Sequence, residues 1–293
     1  MPTSPMAAAA SWLAARLPTW ALLGLYRLGP VTRLLRGLLN RAVLPGLSEV
    51  TVAGGRLAGA RMLLDLREEK DLWLGSYEPL VLEAIGRFAR PGMTAYDVGA
   101  HIGYITLALA RAVGEQGQVI AFEPLPANLE RLRANVELNG LTGRVKVVAA
   151  AVGEGAGRQL FGLHPSVAMG KLVARDAADE PASSLLDVEV IALDEFAAEA
   201  GAPPDLIKMD IEGGETAALR GMRGLLRKFG SILLVEIHGR QAAQGAWDEL
   251  RSAEYQIYRL ARGYPKLESA EDLSGRAHIL ALPLGSGLEA GGP

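Results

Sequence analysis

From Met93 onward, short apolar runs alternate with helix-patterned segments, and this alternation restricts the fold more than any other feature of the chain. It predicts strands at Met93–Val98, Gln118–Phe122, Val145–Ala151, Leu206–Asp210, Ser231–Glu236, Gln256–Leu260 and His278–Leu282. Helices are predicted at Tyr104–Val113, Ala127–Leu138, Glu215–Leu226 and Ala246–Ala253. Repeated strand–helix–strand units with continuous apolar strands imply an α/β fold, a mostly parallel sheet with helices on both faces. Such sheets bind ligands beyond the carboxyl ends of their strands, where strand order reverses. Upstream, Glu49–Ala53 and Arg56–Leu66 read as a hairpin turning at Gly54-Gly55, and Ser76 as the cap of a helix from Glu78 to Ala89. The Gly- and Pro-rich stretch from Glu154 to Asp187 breaks the rhythm and reads as a lid or a small extra hairpin. The tail from Gly285 reads as frayed.

The chain has no cysteine, which excludes disulfide scaffolds, zinc–thiolate sites, iron–sulfur clusters and thiol nucleophiles. The net charge of −3 argues against a nucleic-acid partner. That charge is unevenly spread. Residues 1–48 hold five arginines (Arg16, Arg27, Arg33, Arg36, Arg41) and no acid. Val31, Leu34, Leu35, Leu38, Leu39 and Ala42 fall on one helical face, with Arg33, Arg36 and Arg41 on the other. This front segment has two readings: a helical cap or homodimer contact, or a peripheral membrane anchor with Trp12 and Trp20 at the headgroups. The ten residues between Arg16 and Arg27 are too few to span a bilayer, which needs ~20. A cytoplasmic protein is expected, peripheral at the inner face of the membrane if the anchor reading holds.

Two motifs carry chemistry. Asp97-Val-Gly99-Ala-His101-Ile-Gly103-Tyr104 follows the first core strand and opens a helix, so its glycines admit a ligand close to the backbone. Glu123, before Pro124 at the end of the next strand, suits the two hydroxyls of a ribose. The glycine spacing is Gly-x-x-x-Gly, not the Gly-x-Gly-x-x-Gly of dinucleotide sites, and fits S-adenosylmethionine better than NAD. In the second motif, Lys208, Asp210 and Glu212 interrupt an apolar strand with period two, placing charge where a central parallel strand should have none. Buried charge of this kind marks a functional site by default. The following strand ends in Glu236-Ile-His238, and His238 is a candidate general base.

Together these residues resemble the FkbM-type family of S-adenosylmethionine-dependent methyltransferases. The matching pieces are Asp97–Tyr104, Phe122-Glu123-Pro124 with Asn128 and Asn135, Leu193-Asp194, Asp205–Glu215 and Glu236-Ile-His238, with Gly75–Pro79 upstream. The resemblance covers roughly residues 49 to 260. It implies a Rossmann-like class I methyltransferase sheet of seven strands, the last antiparallel. It also implies that Asp97, Gly99 and Gly103 hold the methionine end of the cofactor and Glu123 its ribose, with His101, Tyr104 and Pro124 also at the cofactor. Lys208, Asp210, Glu212, Glu236 and His238 would surround the reacting centre. Two positions depart from the family's pattern. His101 stands where Asn is usual, and Ala149-Ala150-Ala151-Val152 offers no side chain to the adenine amino group.

The expected organisation is a basic helical extension (1–48), a hairpin and helix (49–90), a methyltransferase domain (91–284) and a tail (285–293). The expected reaction is O-methylation of a hydroxyl on a small-molecule, saccharide or lipid-linked acceptor. His238 or Asp210 serves as base, His238 being preferred for its near-neutral pKa, with Lys208 and Glu236 orienting it. The acidic residues and His238 are competent metal ligands, but their spacing identifies no metal site and none is expected. The competing functions are an NAD(P)-dependent oxidoreductase and a non-catalytic, membrane-associated protein that keeps the methyltransferase fold.

Overall fold

The structure is a computed structural model that describes residues 46–163, 170–173, 185–273 and 275–286. Most of the basic front segment, most of the tail and part of the 154–187 stretch lie outside these residues. Among the described residues the first elements are β1 (Leu47–Thr51) and β2 (Arg61–Asp65), paired antiparallel. The two-glycine turn expected here is replaced by a longer link with a 3-10 turn at Gly55–Leu57. Leu57 is fully buried, so the link packs on the core instead of projecting from it. Helix α1 (Lys70–Leu74), not foreseen, follows, then α2 (Pro79–Phe88). Ser76 does not cap α2; its hydroxyl reaches back to the Asp71 carbonyl instead.

The core then alternates as expected: β3 (Thr94–Val98), α3 (Tyr104–Val113), β4 (Gln118–Phe122), α4 (Pro126–Leu138) and β5 (Val145–Val148). The strand expected to reach Ala151 breaks at residues 149–150. Ala151–Val152 becomes β6 and joins a separate sheet with β7 (Gly157–Leu163), β8 (Gly170–Val173) and β9 (Leu185–Ile191), in the order β6-β9-β7-β8. The irregular stretch is therefore a sheet of its own, where a lid or single hairpin was expected. Helix α5 (Leu193–Ala200) leads back to the core, which resumes with β10 (Leu206–Met209), α6 (Glu215–Arg220), α7 (Arg223–Phe229) and β11 (Ile232–His238). Helix α8 (Arg240–Ser252), β12 (Tyr255–Arg259) and β13 (Arg276–Pro283) complete it.

The main sheet has seven strands in the order β12-β13-β11-β10-β3-β4-β5, with only β13 antiparallel to its neighbours. Its buried residues alternate between two apolar layers. Ala95, Val119, Leu206 and Leu234 face a layer built with α2, α3, α4 and β2. Tyr96, Ile120, Ile207 and Val235 face the other, built with α5, α6, α7 and α8. This is period-two side-chain alternation in a sheet covered on both sides. The chain runs outward from β3 through β4 to β5, then returns to place β10 on the other side of β3. The switch point lies between β3 and β10, where a ligand crevice is expected. This is the Rossmann-like methyltransferase architecture.

Candidate active site

The carboxyl ends of β3, β4 and β10 open onto a cavity of about 530 Å³, within the ~300–1,000 Å³ range of small-molecule and cofactor sites. Two close backbone approaches shape it. Gly99 has φ +79°, and a Cβ there would collide with the Asp210 carbonyl, so only glycine lets the β3 loop lie against the end of β10. The amides of Gly99 and Ala100 both donate to the Phe122 carbonyl, joining the same loop to β4. Gly103, φ +92°, faces Leu132 and starts α3. It shapes the loop from behind and does not line the cavity.

Glu123 forms one wall. It is 5% exposed, and three donors hold its carboxylate: the Leu125 amide at 3.0 Å and Asn128 Nδ2 at 3.1 Å on Oε1, and the His101 amide at 2.9 Å on Oε2. Burial pushes its pKa up and these hydrogen bonds pull against that shift. His101 has φ +51°, which accounts for its amide pointing at Glu123, and burial lowers its imidazole pKa. Pro124 lies beside Glu123, while Ala150, Ala151, Val152 and Phe161, contributed by the second sheet and its approach, supply an apolar flank.

Lys208, Asp210 and Glu212 form the opposite wall. The parallel register sets Lys208 beside Asp97, so two buried side chains of opposite charge meet across β10 and β3. Lys208 Nζ lies 3.7 Å from Asp97 Oδ1, 3.9 Å from Asp210 Oδ2 and 3.4 Å from the Gly99 carbonyl. Burial alone would lower the lysine's pKa; Asp97 and Asp210 outweigh it and raise it. Asp97 is fully buried and accepts a 2.6 Å hydrogen bond from Thr106 Oγ1. It sits beneath the cavity floor and reaches the cavity through Lys208. The extended row expected from Lys208 to Glu212 ends early: β10 stops at Met209 and Glu212 has φ +52°. The turn still carries both Asp210 and Glu212 onto the wall. Tyr77 and Tyr104 meet edge to face, ring centres 5.6 Å apart, on the same side. Burial pushes the Tyr77 hydroxyl up to about 12, and the buried Tyr104 hydroxyl has no hydrogen-bond partner.

His238 and Glu236 lie behind this wall. His238 Nδ1 is 2.7 Å from Glu215 Oε1, and its Nε2 is buried, facing Asp210 Oδ1 at 3.7 Å. The histidine therefore does not present a nitrogen to the cavity, contrary to its expected place as the group touching the acceptor. Glu236, 2% exposed, accepts from Arg276 Nε and makes no part of the cavity wall. Sequence reasoning did not assign roles to Glu215, to Asn128 or to the strap in which Arg131 grips Glu69 with two hydrogen bonds (2.9 and 2.5 Å) at the cavity mouth. Asn128 and Glu215 lay within the motifs already singled out. The strap joins residues 62 apart and leaves no local signal. Leu193-Asp194, part of the motif set, caps α7: Asp194 accepts from the amides of Gly224 and Leu225 at 2.8 and 2.7 Å.

The sheet order and this cavity define a Rossmann-like methyltransferase. The model of the "Methyltransferase FkbM domain" matches residues 97–259, and the chain belongs to that family. Its cofactor is S-adenosylmethionine. A similar curated protein is the 31-O-demethyl-FK506 methyltransferase FkbM of Streptomyces tacrolimicus, 29% identical over 181 residues, 53% of this chain and 69% of that protein. Another is the hexuronic acid methyltransferase AglP of Haloferax volcanii, 27% identical over 175 residues, 59% of this chain and 64% of the other. Against AglP, and against the isoaspartate methyltransferase of Arabidopsis thaliana (35% of its length), the chain spans less than two thirds of the relative. Among solved structures, the FkbM methyltransferase of Methylobacillus flagellatus aligns with a TM-score of 0.43 at 18% identity, covering 72% of this chain and 52% of that one. The family match over residues 97–259 sets the oxidoreductase reading aside. Among the described residues no helix is long and apolar enough to cross a membrane.

The residues fit the cofactor. Glu123 is held with a carboxylate on the cavity wall, Gly99 and Ala100 line the cavity beside it, and the buried Tyr104 hydroxyl on the same lining lacks a partner.

Proposed function

We propose that this protein transfers the methyl group of S-adenosylmethionine to a hydroxyl of a small-molecule, saccharide or lipid-linked acceptor. One observation carries the reading: a carboxylate held by three donors on one wall faces, across the same cavity, a carboxylate set beside a buried lysine. Glu123 would take the ribose hydroxyls. The apolar flank from Ala150 to Val152 with Phe161 would cover the adenine, and the Gly99–Tyr104 loop the methionine end. The names of two relatives, a 31-O-demethyl-FK506 methyltransferase and a hexuronic acid methyltransferase, support an oxygen or sugar acceptor.

When bound, the sulfonium supplies an already electrophilic methyl group, and the electron pair of the broken carbon–sulfur bond returns to sulfur. The protein must then align the acceptor and take one proton. Asp210 is placed for this: it is on the wall, with Oδ2 toward Lys208, and the hydroxyl proton passes to it as the new oxygen–carbon bond forms. Asp210 replaces His238 as the preferred base because the histidine's Nε2 has no open path to the cavity.

The test is methyl transfer from labelled S-adenosylmethionine to a panel of sugar, lipid-linked and polyketide hydroxyls. Asp210→Asn should lower turnover by ~10²–10⁴ with cofactor affinity nearly intact. Unchanged turnover in that variant would remove Asp210 as the base.

A further inference from the structure

Behind the Asp210 wall lies a group of side chains that proton transfer alone does not explain. Glu215 holds His238 Nδ1 at 2.7 Å and so fixes the ring. The opposite nitrogen, Nε2, faces Glu212 Oε2 at 3.5 Å, Asp210 Oδ1 at 3.7 Å and Glu236 Oε1 at 3.7 Å. These separations are too long for hydrogen bonds. Nε2 is nevertheless buried without a hydrogen-bond partner. Glu236, 2% exposed, turns Oε1 toward Nε2 and Oε2 toward His278 Nε2, 3.3 Å away. Donor atoms arranged tetrahedrally about a cation lie about 1.6 times the metal–ligand distance apart. Ligand distances of ~2.1–2.2 Å therefore place neighbouring donors roughly 3.4–3.6 Å from each other, close to the spacing around Nε2.

Charge points the same way. Asp210, Glu212, Glu215 and Glu236 crowd one region with Lys208 and Arg276 as its fixed cations. Glu215 and Glu236 are the buried ones among these, and buried carboxylates in excess favour a further positive partner. Arg276 contacts the Glu236 oxygen that faces Nε2, but its side chain is 60% exposed and can move into solvent. A carboxylate on the far nitrogen of an imidazole fixes the tautomer that a metal-binding histidine needs, and Glu215 occupies that place.

We propose that Asp210, Glu236 and His238 form a site for a divalent cation, with Glu215 as its positioning residue. One nitrogen and two carboxylate oxygens, with a position left for water, suit Mn²⁺ or Zn²⁺. Asp210 then serves two walls: Oδ1 faces the cation and Oδ2 the cavity beside Lys208. A cation there would ease ionisation of the acceptor hydroxyl. That role rests on the methyl-transfer reading, whereas cation binding itself rests on the geometry alone.

The test is calorimetric titration of the chelator-stripped full chain with Mn²⁺ and with Zn²⁺, alongside titration with S-adenosylhomocysteine. One saturable equivalent of cation is expected. His238→Ala and Glu236→Gln should each weaken it by about tenfold or more, and Glu215→Gln by ~10–100-fold, the range for lost orienting partners. Unchanged S-adenosylhomocysteine affinity in these variants shows that they remain folded. His278→Ala should leave cation affinity as it is, although His278, Glu78 and Glu236 form a second close group. The proposal is overturned if the wild-type chain binds neither cation saturably, in which case His238 is a protonated partner of the carboxylates. It is also overturned if His278→Ala removes binding that His238→Ala leaves. Either result, with S-adenosylhomocysteine still bound, leaves the methyl-transfer reading standing; loss of S-adenosylhomocysteine binding by the wild-type chain strikes that reading instead.

Discussion

Asp97 and Glu123 end neighbouring strands, and both carboxylates are almost out of water, yet their surroundings give them separate tasks. Asp97 has a hydroxyl and a lysine as company below the floor; Glu123 is presented to the cavity by amides. Both positions were legible because each is an acid at the end of an expected strand, Asp97 two residues before Gly99 and Glu123 directly before Pro124. What could not be read was depth. A residue's type does not say whether it will be wall or foundation, and so Asp97 and His238 were placed one layer too close to the ligand. His238 was pulled back by Glu215, which the sequence places 23 residues away. Tyr104 offers a test at this scale. Its buried hydroxyl has no protein partner, so Tyr104→Phe should leave the melting temperature unchanged or raised. The same variant should weaken S-adenosylhomocysteine binding by roughly 5–10-fold, the worth of about one hydrogen bond. A lower melting temperature with full affinity would show that the hydroxyl serves the fold instead.

The elements were legible where apolar period and length agreed, as in β3, α3, β4 and α4. They were misread where a close contact made elsewhere in the chain decides the local backbone. The helix expected over Glu215–Leu226 divides at Gly221, whose carbonyl accepts the Asp194 amide and whose lack of a side chain admits the Gly153 carbonyl just past β6. Helix α8 begins at Arg240, earlier than its apolar pattern suggests, directly after Gly239 at φ +91°. The 154–187 stretch lacked a sheet signature since β7, β8 and β9 pair chiefly with one another and only β6 links them to the chain leaving β5. Gly99→Ala tests the junction of β3 and β10. Positive φ together with the collision at Asp210 should destabilise the fold by ~1–3 kcal/mol in urea titration. It should also reduce cofactor affinity, because the loop must withdraw from β10. A stable variant with intact affinity would mean that the two strand ends can separate freely.

For the whole molecule, folding is linked to the protonation of its buried groups. Burial alone would lower the pKa of His238, but Glu215, Glu212 and Asp210 outweigh it and raise it. A histidine whose folded pKa exceeds the unfolded value of ~6.5 adds stability that is complete below that value and is lost as pH rises through the folded one. In chelator, the urea midpoint of the wild-type chain should therefore fall more steeply from pH 6 upward than that of His238→Asn. Parallel profiles would show that the imidazolium is not stabilised here. The basic front segment bears on location. If residues 1–48 bind anionic lipid, the full chain should float with anionic vesicles while a chain starting at Glu49 stays in solution. Equal flotation of the two would remove the anchor and, with it, the reason to favour a lipid-linked acceptor.

The account stands most directly on the Glu123 wall. Calorimetric titration of the full chain with S-adenosylhomocysteine should show one site, and Glu123→Ala should weaken it about 100-fold, the worth of one or two hydrogen bonds to a charged group at ~1.5–3 kcal/mol each. Equal affinity in the variant, or no binding to the wild-type chain, would contradict the assignment of this cavity to the methyl donor.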